Sequence, residues 1–383
     1  MNAKWKIGVV YDSSQKSKGH HGTHFAFTGL PDVEIVLADP NPDGAAARLQ
    51  AIGAVRHHDD VQTMLDVEAP DVVVVCSRLP GDHSPVIRAA VERGCHVLCE
   101  KPMTDSLSEA DVIAALAARR GVKVAVAHLA RHAHVFRTMK RMIAHGDIGR
   151  PLAFYGRGKE DERGGGEDLT VLGTHILDIG IDLFGMPDYV FADVSVDGRP
   201  IVAGDRLATT EPIGLCAGDC VWASFRFPQG VQGVFESRKG LCTGPVRMGV
   251  TVVGTAGALA MRYDDARHLR ICRASDVPED EAHFETLELP PEDRALPPGA
   301  APLDYAHYGP RPSRYFADNN RFAAWDLLQA IEEDRQPRSS VYDAIHVLEM
   351  IHGIYASSLT RRAVAFPLSD RSHPLRACEN PTI

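Results

Sequence analysis

The run His96-Val97-Leu98-Cys99-Glu100-Lys101-Pro102 places a lysine between an acid and a proline directly after an apolar strand. Proline fixes its own φ and biases the preceding residue toward extended geometry, so backbone stiffness aims the Lys101 ammonium. An ammonium at the C-terminal edge of a parallel sheet, where such sheets bind ligands, can lower the energy of a forming alkoxide. A second set of groups follows Gly164-Gly165-Gly166. Apolar residues at Leu172, Ile176, Ile179 and Leu183 have helical spacing, and at about 100° per residue His175, Asp178 and Asp182 fall on an adjoining polar arc. A carboxylate one turn away can orient His175 as a proton-transfer group. Upstream, Arg157-Gly158-Lys159-Glu160-Asp161-Glu162-Arg163 supplies charge suited to an anionic or heavily hydroxylated ligand. Lys159, Arg163, Glu167 and Asp168 are therefore candidate substrate contacts.

Two patterns of elements must position these groups. In the first third, apolar runs at 5–10, 33–38, 72–76, 96–99 and 122–127 alternate with helical stretches at 43–52, 85–93 and 106–119. The last of these opens with Ser106 as a capping residue and Glu109 three positions on. This order predicts an α/β fold, a doubly wound parallel sheet over residues 1–128. From Leu152 the pattern lengthens and alternates, with Val221, Ala223, Phe225 and Phe227 against Trp222, Ser224 and Arg226, then a Pro228-Gln229-Gly230 turn. Further strands fit 189–196, 247–254 and 258–263, and helices fit 319–333 and 341–360. Residues 129–383 thus form a second α/β domain with a large open, mainly antiparallel sheet, one face of which is left for helices or a second subunit. A homo-oligomer, dimer or tetramer, is expected. The proline- and acid-rich stretch 276–314 reads as a long excursion over the surface or across an active site.

A dinucleotide domain normally carries Gly-x-Gly-x-x-Gly after its first strand, because a tight turn brings N–H groups and a helix start to the pyrophosphate. Here Tyr11-Asp12-Ser13-Ser14-Gln15-Lys16-Ser17-Lys18 intervenes before Gly19-His20-His21-Gly22-Thr23-His24 and a helical segment at 25–29. Gly19 and Gly22 still let backbone approach a phosphate, while Ser13, Ser14 and Lys18 supply side-chain contacts. Asp39 ends the second strand where an adenosine ribose diol would arrive. A carboxylate accepts from both hydroxyls and repels a 2′-phosphate, and Pro40-Asn41-Pro42 brings no compensating arginine, so the cofactor expected is NAD rather than NADP. Ser77 and Arg78 after the third apolar run, with His83 beyond, line the nicotinamide side.

Composition narrows the partners. A net charge of −10 with dispersed basic residues argues against a nucleic-acid surface, and no apolar run approaches membrane-spanning length. The first residues enter a strand without a secretory segment, so cytoplasmic residence is the expectation. Eight cysteines in 383 residues are too sparse for a disulfide scaffold, and Cys216 with Cys220 lacks a second ligand pair, so no metal is assigned.

Taken together, Glu100-Lys101-Pro102, His83 with Ala89-Ala90, Gly94-Cys95-His96, Gly146-Asp147-Ile148-Gly149 and Gly254-Thr255-Ala256-Gly257 resemble the Gfo/Idh/MocA family of nicotinamide-dependent oxidoreductases. The resemblance implies a Rossmann domain joined to an open-sheet α/β domain, Glu100 and Lys101 beside the nicotinamide and substrate, and redox chemistry on sugars or polyols. It also makes His175 the histidine of an Asp-His dyad whose aspartate lies four residues earlier, where this chain has Val171. Asp178, Asp168 and Glu167 are the alternative partners. Arg131, with His128 and His134, resembles the family's substrate-positioning block, with His134 where a proline is common. Hydride abstraction from a secondary hydroxyl by NAD leads, with Lys101 on the alkoxide and His175 on the proton. A redox-neutral glycosidase or epimerase that retains NADH, and a catalytically silent sugar or nucleotide sensor, are the alternatives.

Overall fold

Short runs of β-branched residues build the first sheet of the computed structural model, which describes residues 3–15, 22–242, 247–263, 268–278, 281–289, 296–303 and 314–376. Strands β1 (Trp5–Val10), β2 (Val33–Ala38), β3 (Ala54–His58), β4 (Val72–Val75), β5 (His96–Cys99) and β6 (Val124–Val126) are all parallel, in the order β3-β2-β1-β4-β5-β6. The four valines of β4 are buried, as a central strand covered on both faces requires. β3, Ala54-Val55-Arg56-His57-His58, escapes the sequence pattern because it is an edge strand paired with β2 alone, with polar residues in place of an apolar run.

Helices α1 (Ala45–Ile52), α2 (Val61–Glu68), α3 (Pro80–Glu92) and α4 (Leu107–Arg120) connect these strands. Asp60 caps α2 by accepting from the Thr63 N–H at 2.8 Å, and Ser106 caps α4 by accepting from the Glu109 N–H at 3.4 Å. Between β1 and β2 the helix expected at 25–29 is replaced by a single 3-10 turn, Thr23–Phe25. Gly29 in the left-handed region and Pro31 end the segment before a second turn can close. Phe25 and Phe27 point into a core with Ile7, Val9 and Leu37 that also receives Ala324, Leu327 and Leu328 of helix α8 (Arg314–Glu332).

Contacts therefore divide the chain into a first unit of 1–133 and 295–344 and a second of 134–294 and 345–383, where the sequence pattern suggests one cut after His128. The return of 295–344 to the first unit reflects the apolar face of α8, which no local pattern assigns to either sheet.

The second unit carries α5 (His134–His145), α6 (Gly166–Val171), α7 (Gly173–Phe184) and all but the first turn of α9 (Val341–Thr360), where the chain crosses between units for the third time. Its sheet comprises β7 (Pro151–Arg157), β8 (Tyr189–Val196), β9 (Arg199–Pro200), β10 (Cys220–Arg226), β11 (Gln232–Arg238), β12 (Gly249–Gly254), β13 (Gly257–Arg262), β14 (Leu269–Cys272), β15 (Glu285–Thr286) and β16 (Val364–Ala365). The order is β15-β14-β13-β12-β7-β11-β10-β8-β16, with β9 on β8, and only β7 with β11 is parallel. Period-two alternation buries Val221, Ala223 and Phe225 and exposes Trp222 on β10. On the covered face Phe154, Phe184, Phe225 and Phe227 pack at ring separations of 5.8–6.2 Å. Ser357 and Ser358 of α9 accept from the N–H groups of Ala192 and Val194, both at 2.9 Å. Of the excursion at 276–314, residues 279–280, 290–295 and 304–313 lie outside the described residues. Among the described residues no helix is long and apolar enough to cross a membrane.

Candidate active site

Strand β5 delivers Glu100 and Lys101 to the C-terminal edge of the first sheet, and both side chains are buried. The Glu100 carboxylate accepts from the Thr23 hydroxyl at 2.5 Å and from the Lys101 N–H at 2.7 Å. One carboxylate thus ties the end of β5 to the turn after β1, fixing the backbone from which the Lys101 ammonium projects. The imidazole of His83, wholly buried on α3, lies 3.1 Å from the carbonyls of Pro102 and Met103 through Nδ1 and 2.7 Å from that of Ser77 through Nε2. His83 therefore braces the two strand-end loops that carry Arg78 and Lys101, a positioning contact with backbone. Ser77 donates to Asp82 at 3.1 Å and accepts from the Leu79 N–H at 3.1 Å, shaping the start of α3.

The contacts that Thr23, His24 and Tyr11 make beside Glu100 were not legible in the sequence. Their pattern carries no signal beyond the Gly22-Thr23-His24 sequence, and Gly22 adopts φ 65° at the head of the 3-10 turn. The Tyr11 ring stacks on His24 with centroids 4.6 Å apart and planes at 21°. Burial pushes the His24 imidazole down to about 4, against the pull of Glu100, so the ring is neutral at pH 7.

The adenosine end corrects the sequence reading of Asp39. Its side chain is 0 % exposed, and an arginine does compensate it: Arg48 Nε from the first turn of α1 lies 2.6 Å from Asp39 Oδ2. Asp39 Oδ1 accepts from the N–H groups of Ser13 at 3.2 Å and Asn41 at 3.0 Å. The arginine escapes local inspection because it stands nine positions after the acid, and helix α1 brings it back. Ser13 accepts from Asn41 Nδ2 at 2.9 Å, and Ser14 donates to Asp12 through both N–H and hydroxyl at 3.0 and 2.6 Å. Both serines thus build the turn after β1. Lys18 and Gly19 lie outside the described residues.

In the second unit the three glycines at the head of α6 admit a close approach of the chain itself. A Cβ on Gly164 would lie 2.4 Å from the Lys239 backbone, on Gly165 2.6 Å from that of Asp219, and on Gly166 2.1 Å from the Ala217 carbonyl oxygen. The charged residues around them bond to one another. Arg163 pairs with Asp161 and Glu211, each at 2.9 Å, and Lys159 with Asp161 at 3.0 Å. Glu167 accepts from the N–H groups of Thr210 at 2.9 Å and Glu211 at 3.2 Å and from the Thr210 hydroxyl. These candidates for substrate binding thereby close a network over the 210–211 segment.

Asp168 lies deepest. It accepts from Ser237 Oγ at 2.5 Å and the Glu160 N–H at 3.4 Å through Oδ2, while Oδ1 finds no hydrogen-bond partner among the described residues. Burial pushes its carboxyl up from 3.8 to about 6. The folded state then holds its proton more tightly than the unfolded chain, so ionisation between about pH 4 and pH 6 removes stability as pH rises. Asp168→Asn, which keeps an acceptor for both donors, is expected to melt higher relative to the unaltered chain at pH 7.5 than at pH 4.5. A pH-independent difference in melting temperature would refute the assignment.

From Gly164 to Ile181 every residue is buried except Leu172 and His175. His175 is thus the one titratable side chain of α6 and α7 in that span that reaches a surface, while Asp178, one turn on, is fully buried. Val171, in the place of the dyad aspartate, is buried as well. In the first unit His128 is buried, and Arg131 donates to the Arg338 carbonyl at 2.9 Å and pairs with Asp343 at 3.0 Å. Arg131 thereby fastens the 3-10 turn Leu129–Arg131 to the segment between α8 and α9.

A reversal of strand order between β1 and β4, an acid at the end of β2 and a lysine at the end of β5 define a Rossmann oxidoreductase of the nicotinamide class. Residues 21–128 match the model of an oxidoreductase family with an NAD-binding Rossmann fold, and 136–260 match the GFO/IDH/MocA C-terminal domain. The chain belongs to the Gfo/Idh/MocA family of oxidoreductases. It is 25% identical over 360 residues to levoglucosan dehydrogenase of Pseudarthrobacter phenanthrenivorans, covering 88% of this chain and 90% of that protein. D-apiose dehydrogenase of Paraburkholderia graminis is 31% identical over 228 residues, 53% of this chain and 59% of that protein. The solved structure of levoglucosan dehydrogenase with NADH and levoglucosan superposes with a TM-score of 0.71 at 21% identity, over 95% of this chain and 100% of that one.

The switch-point edge, the left-handed Gly22 and the fixed Glu100-Lys101 backbone fit a nicotinamide dinucleotide. The residues that would hold it are those around Gly22, Arg78 and Lys101, with the Asp39–Arg48 pair at the adenosine end.

Proposed function

We propose that this chain is an NAD-dependent oxidoreductase that oxidises a secondary hydroxyl of a sugar, polyol or glycoside to a ketone. The observation that carries the reading is the buried Lys101 on a backbone clamped by Glu100, at the edge where the family's dinucleotide lies. A bound nicotinamide ring supplies the hydride acceptor. The carbinol carbon gives up its C–H bond with both electrons, and the hydroxyl gives up its proton. Lys101 stabilises the oxygen as that proton leaves, because a desolvated ammonium acts far more strongly on a forming alkoxide than one in water. His175 is the proposed proton acceptor of the second unit, since its imidazole is partly exposed where its neighbours are buried, and Asp178 is the proposed group that orients it. The relatives support the substrate class, being dehydrogenases named for levoglucosan, D-apiose and inositol.

The proposed assembly is a homodimer through the open face of the second sheet. Phe191, Ser224, Val234 and Tyr155 lie in one cross-strand row, with Trp222 and Tyr189 in the flanking rows, and the four aromatic residues of this set are exposed. Apolar surface of this kind marks an association site.

Native mass spectrometry of the purified chain, before and after addition of NAD, tests both readings. The expected spectrum is a dimer that takes up one dinucleotide per subunit. Binding of no dinucleotide would overturn the oxidoreductase reading, and a monomer that binds it would overturn the dimer alone.

A further inference from the structure

We infer that Arg48 is a cofactor-specificity residue that opens the adenosine end of this site to the 2′-phosphorylated dinucleotide, so that NADP(H) binds alongside NAD(H). The inference rests on the dinucleotide reading and deepens it.

An acid at the end of β2 excludes NADP by two means: its charge repels the 2′-phosphate, and its oxygens are offered to the ribose diol. Neither means operates here. Asp39 is wholly enclosed, its Oδ1 is shared by the Ser13 and Asn41 N–H groups, and its Oδ2 faces the Arg48 guanidinium at 2.6 Å. At that separation the pair presents nearly balanced charge to anything approaching from outside, and the repulsion is cancelled at its source.

The guanidinium is also the outer member of the pair, with its side chain 20% exposed against 0% for the acid. It is held in place: Nη1 donates to the Asp43 carbonyl at 2.5 Å, and Nη2 donates to that of Asn41. A guanidinium has five N–H donors; Nε meets Asp39 as an ion pair, and the two hydrogen bonds use one N–H from each Nη, which leaves a second N–H on each Nη. A fixed planar fork of that kind matches phosphate geometry. The Ser13 and Ser14 hydroxyls stand on the adjoining turn, joined to Asn41 and Asp12. They give the neighbourhood further polar groups without adding negative charge beyond Asp12.

The test compares dissociation constants for NADH and NADPH, read from nicotinamide fluorescence, in the unaltered chain and in Arg48→Leu. The expected NADPH value lies within about tenfold of the NADH value in the unaltered chain, a difference of about 1.4 kcal/mol or less. In Arg48→Leu the ratio should move against NADPH by about tenfold or more, through loss of the fork and exposure of the Asp39 charge. Displacement of NADH from the unaltered chain by 2′,5′-ADP and by ADP gives a reading independent of the variant's folding. Comparable or better displacement by 2′,5′-ADP is expected. NADPH weaker by more than about tenfold in the unaltered chain, an Arg48→Leu ratio that stays put, or displacement by ADP alone would each overturn the inference while leaving the NAD reading intact. Failure of both NADH and NADPH to bind would overturn the dinucleotide reading and the inference with it.

Discussion

Lys101→Met is expected to lower kcat/KM for any sugar or polyol substrate by about a thousandfold or more while leaving the fold and the affinity for NAD intact. Methionine is close to the lysine stem in length and apolarity, so the buried channel that holds the side chain stays filled. The Glu100 carboxylate keeps the Lys101 backbone N–H and the Thr23 hydroxyl as donors. What disappears is one positive charge in a site where water cannot replace it. Removal of a single donor to a forming oxyanion typically costs about a hundred- to a thousandfold in rate, and a full charge in a desolvated position costs at least as much. The effect should fall on kcat, since the interaction strengthens as the alkoxide forms. Steady-state kinetics of Lys101→Met beside Lys101→Arg would show it, with circular dichroism and NADH titration as controls. Undiminished kcat in the methionine variant would remove the lysine from the mechanism.

The same residue shows what a sequence can carry. The place of Lys101 at the buried end of β5 was legible because strand, acid, lysine and proline are contiguous, and contiguity fixes geometry through the backbone alone. The parallel strands were legible for a similar reason: four consecutive valines in β4 can only be a strand buried on both faces. Legibility failed where position depends on the return of distant chain. Arg48 reaches Asp39 only because α1 folds back over the end of β2, so the acid that reads as open is in fact paired. Helix α8 joins the first unit through side chains that meet Phe25 and Phe27 some three hundred residues away in sequence. The charge run 157–163 has the composition of an anion site. Yet Lys159 and Arg163 pair with Asp161 inside the run, while Arg157, Glu160 and Arg163 pair outside it with Glu236, Arg247 and Glu211, which no local pattern reveals. Burial also pushes the Glu160 carboxyl up, against the pull of Arg247 and Arg157, a balance no spacing rule contains.

Gly165→Ala is expected to destabilise the chain by about 3 kcal/mol or more, a large share of the roughly 5–15 kcal/mol that holds a typical domain folded. Two independent costs meet at this residue. Its φ of +87° with ψ −133° lies in a region that is nearly glycine-only, which costs an L-residue with a side chain about 1–3 kcal/mol. Its new Cβ would lie 2.6 Å from Asp219 C and from the Gly218 carbonyl oxygen, both backbone atoms that no rotamer change can move. Relief requires shifting β10 or the start of α6, and Gly165 also donates its N–H to Ser237 Oγ at 3.0 Å, the hydroxyl that in turn donates to Asp168. Gly53→Ala shows a positive-φ cost without a close contact, because Gly53 has φ +72° and an added methyl there would meet nothing within 4 Å. Urea unfolding should place Gly53→Ala about 1 kcal/mol below the unaltered chain and Gly165→Ala well beneath that. Equal losses would mean that the close approach to Asp219 yields without cost. A displaced α6 would carry α7 and His175 with it, so the surviving folded fraction of Gly165→Ala should also lose turnover per folded molecule. Gly53→Ala, far from that helix in the chain, should lose none. The triple glycine thus acts through packing: it lets α6 settle against the backbone of 217–219 and 238–239, at the head of a buried span from which His175 reaches the surface.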